Sequence, residues 1–183
     1  MPTVVAIALA GLVLGAAACS NSGSQTTTSI ANTPKALLSE GISAQAHGDL
    51  ATARNDYAAI IALDPQNSSG DNLYAYYNLG VIDQTLGRIQ AAETEYRSAL
   101  QIDPKYLNAM YNLAVAESTN APLSAIAQYE ALLKLKPKDI NSTYNLGLLL
   151  YNTGRVVAAR TLLRQAIALD PALRQKLPKN VKL

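Results

Sequence analysis

Four prolines, Pro65, Pro104, Pro137 and Pro171, close four similar runs, "IIALDP", "ALQIDP", "LLKLKP" and "AIALDP", at steps of 39, 33 and 34 residues. Proline cannot continue a helix, because it lacks the amide proton and its ring collides with the preceding turn. The residue before it is also driven out of the helical region. Each run is therefore the end of a helix, and the chain repeats. Eight residues before each proline stands a large side chain, Tyr57, Tyr96, Tyr129 or Leu163, and twelve before it stands Ala53, Ala92, Ala125 or Ala159. An apolar-periodic stretch opens each unit and carries a small residue, Gly41, Gly80, Ala114 or Gly147, in its eighth position. Tyr-Asn-Leu recurs with it, its tyrosines at 77, 111 and 144.

A small residue on one helix facing an alanine on the next lets two helices approach closely, and the bulky residue fills what remains. This pattern resembles the tetratricopeptide repeat, a unit of roughly 34 residues built as helix, turn, helix. The resemblance implies an all-α fold: a right-handed superhelical solenoid of four repeats, over 34–67, 73–105, 106–139 and 140–173, plus a short C-terminal capping helix, Ala172 to Leu177. The repeat domain spans 34–177, and 178–183 form a basic tail. The first helix is predicted to start at Pro34 with Asn32 or Thr33 as its cap. A polar insertion, "PQNSSGDN", separates the first two units, and the third has lost a residue in its turn, where Pro122 is placed to open the second helix.

Ahead of the repeats the composition changes. Val4 to Ala18 is an uninterrupted run of Val, Ala, Ile, Leu and Gly. It is shorter than the roughly 20 residues of a membrane span and ends in small residues, as a secretion signal does. Cys19, the only cysteine, follows it, and residues 20–33 are rich in Ser, Thr and Asn. The arrangement resembles a bacterial lipoprotein signal, which implies a signal peptide over 1–18, a lipidated Cys19 and a flexible tether over 19–33. The expected location is the cell envelope, as an exported membrane-anchored lipoprotein; the alternative is a soluble secreted or periplasmic protein.

On a solenoid of this kind the first helix of each unit lines the concave side. Residues at i, i+3, i+4 spacing project together. Those residues are Tyr74, Tyr77, Asn78, Val81, Gln84 and Thr85 in unit two. They are Asn108, Tyr111, Asn112, Val115, Ser118 and Thr119 in unit three, and Asn141, Tyr144, Asn145, Leu148, Tyr151 and Asn152 in unit four. Asn78, Asn112 and Asn145 carry both a donor and an acceptor and suit the backbone of an extended peptide, with Tyr77, Tyr111 and Tyr144 adding rigid contact area. The same tripeptide is also near the family's consensus, so its recurrence equally suits a purely structural role. A clamp for a terminal carboxylate requires Lys or Arg here, and units two to four place none in the groove.

The near-neutral total conceals a gradient. Up to Ala131 there are 5 basic and 11 acidic residues; from Leu132 on there are 10 and 2. Arg160, Arg164, Arg174 and Lys176 define a basic C-terminal patch. In an exported protein, such a patch suits anionic headgroups, wall polymer or an acidic protein face, including a second copy, rather than nucleic acid. The alternative is a solvated terminal cap.

Little points to catalysis. His47, the single histidine, stands before a Gly-Asp turn and has no clustered ligands around it. Asp64, Asp103 and Asp170 hold equivalent places in separate units, where an aspartate accepts turn amides rather than converging with its fellows. Phosphate loops, nucleophile elbows and HExxH helices are missing from the sequence. The expected function is a non-enzymatic adaptor or scaffold for protein partners, without cofactor or metal, with electrostatic binding by the basic end as the alternative.

Overall fold

The computed structural model describes residues 32–183, and every regular element among them is helical. Signal, Cys19 and most of the tether lie outside the described residues. The elements are α1 (Pro34–Ala46), α2 (Leu50–Leu63), α3 (Asn72–Thr85), α4 (Ile89–Ile102), α5 (Leu107–Glu117), α6 (Pro122–Leu135), α7 (Ile140–Asn152) and α8 (Val156–Leu169). A 3-10 helix, Pro171–Lys176, follows α8 at the place of the short capping helix expected over 172–177.

Local chemistry sets the boundaries. Thr33 caps α1 by accepting from the Ala36 amide at 3.2 Å. Asp49 and Asp139 cap α2 and α7 in the same way, through Thr52 at 3.0 Å and Ser142 at 2.9 Å. Pro122 opens α6, where its missing amide proton costs no hydrogen bond. In units one, two and four the turn between the paired helices contains Gly48, Gly87 or Gly154 at φ 81°, 72° and 83°, a left-handed conformation that favours glycine. Unit three turns instead through Ser118, Thr119, Asn120 and Ala121, and its missing residue is taken from the first helix, α5, which has 11 residues against 13 or 14 in the other units.

The paired helices touch as the small-to-large pattern requires. A Cβ added at Gly80 would lie 2.5 Å from Tyr96, one at Gly41 2.7 Å from Tyr57, and one at Gly147 2.8 Å from Leu163. These large side chains are fully buried, as are Ala53, Ala92, Ala125 and Ala159. The core is a chain of clusters, each reaching across a junction between units. Tyr57 and Ile60 of α2 pack with Leu79 and Ile82 of α3. Tyr96 of α4 packs with Leu113 of α5. Ile126 and Tyr129 of α6 pack with Leu146, Leu149 and Leu150 of α7. A solenoid buries its apolar surface in this way, between neighbours rather than around one centre.

The insertion between α2 and α3 is organised by its own hydrogen bonds. Asp64 accepts from the amides of Ser68 and Ser69 at 2.8 and 2.7 Å, bonds that hold its carboxyl below the ordinary aspartate range. Asn72, buried at the start of α3, donates to the Asp64 carbonyl at 2.7 Å. Gly70 and Asn67 both take positive φ, so two chain reversals fit into the loop.

After the 3-10 helix the chain folds back onto unit four. Val181 is buried in a cluster with Tyr144, Leu163, Ile167 and Leu173. Tyr151 donates to the Asn180 carbonyl at 2.7 Å, and Arg160 Nε donates to the Lys182 carbonyl at 2.8 Å. The tail thus covers a surface that, in earlier units, is covered by the next repeat.

Candidate functional site

The three asparagines do not stand in equivalent surroundings. Asn145 donates to the Tyr111 hydroxyl of the preceding unit at 2.9 Å, and Asn112 approaches the Tyr77 hydroxyl at 3.5 Å. Asn145, and more loosely Asn112, thus reach the tyrosine of the unit before, and a scaffolding use of these two is visible in the geometry. The residue of unit one equivalent to those tyrosines is Leu38, which offers no hydroxyl. The ladder therefore begins at Tyr77, and the half-buried Asn78 is not drawn into it. Of the three tyrosines, Tyr77 and Tyr111 are half-buried beside the asparagines, whereas Tyr144 is buried beneath the tail. Tyr144 is thus not an open groove residue, because Val181 and Leu183 pack where the sequence pattern leaves it uncovered.

The first, or A, helices of units three and four (α5 and α7; the second helix of each unit is its B helix) border a cleft of about 310 Å³, lined by Val115, Ser118, Thr119, Tyr129, Asn145, Leu148, Leu149 and Asn152. Six of these eight are the groove positions expected from helical spacing; Tyr129 and Leu149 are core residues that form its floor. A second cleft, of about 420 Å³, adjoins it through the shared Val115 and Thr119 and adds Gln84, Ile89, Gln90, Ala116 and Asn120. The two adjoin to make a furrow along the A helices and the first turn of α4, without a charged side chain in its lining.

A recurrent polar lock explains where the first cleft lies. In unit one the Tyr57 hydroxyl donates to Gln45 Oε1 at 3.0 Å; in unit two Tyr96 donates to Gln84 Oε1 at 2.7 Å. These glutamines stand four residues after the small residue of helix A. Unit three has Ser118 there, and the hydroxyl of Ser118 donates to the Ala114 carbonyl at 2.6 Å. Tyr129 is left with Asn145 Nδ2 at 3.4 Å. Burial pushes the Tyr129 phenol up to about 12 against the opposing pull of Asn145 and Ser118. The missing glutamine leaves an opening in the wall of the groove.

An aromatic group borders the furrow at unit two. Tyr106, in the turn before α5, meets Tyr77 edge-on with centroids 5.3 Å apart and Tyr74 at 6.2 Å, and Tyr74 remains 45% exposed. Tyr106 carries no periodic signal in the sequence, since it belongs to a turn.

Ion pairs cross the first two junctions between units. Asp83, 1% exposed at its side chain, is paired with Arg54 of α2, with Arg88 3.6 Å away. Glu117, at the equivalent place in α5, pairs with Arg97 of α4 at 2.5 Å, and Arg97 also holds Glu93 at 3.1 Å. The basic patch is divided. Arg160 is engaged by the tail carbonyl, whereas Arg164 and Arg174 line one cleft of about 520 Å³ with Leu183; Lys176 is exposed on the 3-10 helix.

The aspartates and the histidine serve their own turns. Besides Asp64, Asp103 accepts from the Lys105 amide at 2.9 Å and Asp170 from Ala172 at 3.0 Å. His47 caps α1, its Nδ1 2.7 Å from the Ser43 carbonyl.

Stacked helix pairs with an uncharged furrow along the first helices define a repeat solenoid built for macromolecular contact. The tetratricopeptide repeat model matches residues 38–106, 77–139 and 115–173, and the chain belongs to this family. Among curated proteins it is 32% identical over 76 residues to photosystem I assembly protein Ycf3 of Rippkaea orientalis, a match covering 42% of this chain and 43% of that protein. The chain thus matches less than half the length of that relative. The solved structure of MamA superposes with a TM-score of 0.69 at 24% identity, covering 79% of this chain and 82% of that one, a likeness of fold alone. A Thermobaculum terrenum O-GlcNAc transferase variant superposes with a TM-score of 0.64 at 26% identity, over 78% of this chain but 27% of that one. Proteins of this repeat family are typically non-catalytic adaptors that bind protein partners, although the repeat also occurs within an enzyme chain.

Proposed function

We propose that this protein is a non-catalytic adaptor of the bacterial cell envelope, lipid-anchored at Cys19, that binds an extended segment of a partner protein in the furrow of its A helices. The observation that carries this reading is the uncharged, amide- and hydroxyl-lined furrow across units two to four. Extended peptides present backbone donors and acceptors along their length, and amides and hydroxyls match them without selecting a charge. The name of the Ycf3 relative, an assembly protein, supports an adaptor role. Anchoring rests on the sequence around Cys19. Replacing Cys19 by serine is expected to release the full chain from the membrane fraction; retention there would refute the anchor.

Alanine scanning of the asparagine row is a poor test, because Asn112 and Asn145 also hold units together. Photo-crosslinking side chains at Thr119 and Asn152, on the furrow, and at Thr94, on the exposed face of α4, separate the faces cleanly. A common adduct from positions 119 and 152 and none from 94 is the expected result; an adduct from 94 alone overturns the furrow. A second reading has Arg164 and Arg174, which share one cleft, bind anionic headgroups or wall polymer. That binding would fade steeply with added salt, whereas furrow adducts would persist.

A further inference from the structure

We infer that the cleft between units three and four is a receptor for a carboxamide side chain, so that the partner segment, on the adaptor reading above, carries a glutamine or asparagine seated against Tyr129. The protein itself supplies the template. In units one and two the buried tyrosine hydroxyl donates to a glutamine carboxamide, Gln45 or Gln84. Unit three keeps the tyrosine and loses the glutamine. Ser118 is too short to fill the glutamine's place: its hydroxyl donates to the Ala114 carbonyl, and only its oxygen is left to draw on the Tyr129 hydroxyl from within the wall. Tyr129 is 1% exposed, yet lines the cleft together with Asn145 and Asn152.

The lining matches both ends of a carboxamide. Tyr129 offers the donor for its carbonyl oxygen, as Tyr57 and Tyr96 do for their internal glutamines. Asn152, exposed at the rim, has an amide group with acceptor capacity for the NH2 protons. Val115, Leu148 and Leu149 flank the space for the methylene stem. A carboxylate is disfavoured, because the cleft contains no cation to offset its desolvation. An aliphatic side chain would fill the space but leave the phenol with the Ser118 oxygen alone in place of the carboxamide acceptor of units one and two. Unit four shows the alternative arrangement. Its large core residue is Leu163, without a hydroxyl, and Tyr151 at the glutamine position turns to the Asn180 carbonyl of the tail. A buried core tyrosine without its glutamine is therefore found in unit three alone among the four units.

The test is an NMR titration of the isotope-labelled full-length chain with N-acetyl-glutamine-N′-methylamide, with the leucine and glutamate analogues as shape and charge controls. The glutamine probe is expected to give saturable shifts at Ser118, Thr119 and the Asn145 and Asn152 side-chain amides, binding about tenfold tighter than either control, the worth of one buried hydrogen bond. Ser118→Gln, which restores the lock of units one and two, should abolish those shifts while leaving the melting temperature unchanged or raised. Tyr129→Phe should reduce the glutamine probe to the affinity of the leucine probe. Absence of shifts with the glutamine probe at tens of millimolar, equal binding of the three probes, or undiminished binding by Ser118→Gln would each overturn the inference. If the probe fails while crosslinks at 119 and 152 still capture a common partner, the adaptor reading stands and the carboxamide receptor falls; if both fail, the furrow itself is not the binding surface.

Discussion

A Gly80→Ala substitution would place a methyl carbon 2.5 Å from Cε1 and 2.7 Å from Cδ1 of Tyr96. In an open helix the same change stabilises by about 1 kcal/mol, since alanine restricts the unfolded chain and favours the helix. Here the aromatic ring must move, and it has little room. Tyr96 is fully buried, its hydroxyl is tied to Gln84 at 2.7 Å, and Tyr77 packs on it with ring centroids 6.1 Å apart. Overpacking of this kind costs about 1–3 kcal/mol, and the constraints on both ends of the ring favour the upper part of that range. The net effect is a loss of about 1.5 kcal/mol, the difference between an overpacking cost near 2.5 and the propensity gain. For a domain of this size that lowers the melting temperature by about 3–6 °C. Urea titrations of wild type, Gly80→Ala, Tyr96→Ala and the double variant form a cycle that isolates the clash. In the Tyr96→Ala background the ring is gone, and Gly80→Ala is expected to change sign and stabilise. A neutral or stabilising effect in the wild type, or the same effect in both backgrounds, would refute the close-approach account of the eighth position.

Three further outcomes are expected. Arg54→Met removes the nearer partner of the buried Asp83 and leaves Arg88 at 3.6 Å, so the loss should be about 2–3 kcal/mol, short of that for a wholly unpaired buried charge. Adding Asp83→Asn should recover part of it in the same urea assay, and no recovery would deny the pair its role. Burial raises Tyr57 and Tyr129 to about 12, and Tyr96 further, from an unperturbed 10.0. Their protonated forms are favoured in the fold, so stability is intact below pH 10.0 and falls as the pH climbs through about 12, because unfolding then releases protons. Urea midpoints should be level below that window and decline within it, with a shallower decline for Tyr57→Phe. Truncation after Leu177 uncovers Tyr144, Leu163 and Ile167 and removes the buried Val181, a loss of about 2 kcal/mol; amide exchange in α7 and α8 should accelerate, while α1 and α2 are unaffected.

The repeat was legible because its signals are steric and confined to single positions. Pro65, Pro104, Pro137 and Pro171 follow helix ends, Gly80 meets Tyr96, and Pro122 opens α6, each a consequence of backbone geometry that no neighbour can alter. What escaped the sequence depends on relations between units. Asn145 and Tyr111 are 34 residues apart, and their hydrogen bond exists only once two A helices stand side by side. The tail reads as basic and solvated, yet its Val181 is buried because the last unit has an apolar surface to cover. Tyr106 joins the aromatic group from a turn, where side-chain direction has no period. The cleft was within reach: aligning Gln45, Gln84, Ser118 and Tyr151 shows the interrupted lock, once the partner of the buried tyrosine is known.

The ion pairs at the junctions also number the repeats. Asp83 faces Arg54 across the first junction and Glu117 faces Arg97 across the second, but the equivalent place in α7 is the apolar Leu150, which packs against Ile126. The residue that follows the helix-B alanine is correspondingly Arg54, Glu93, Ile126 or Arg160. Transplanting unit two behind unit three would bury Asp83 against Ile126 in place of Arg54, with only its own unit's Arg88, 3.6 Å away, as counterion, while moving unit four behind unit two would oppose Leu150 to Glu93 and Arg97. Although the four modules share one shape, their junctions are not interchangeable: two are matched by charge and the third by apolar packing, so the order of the stack is written into its interior.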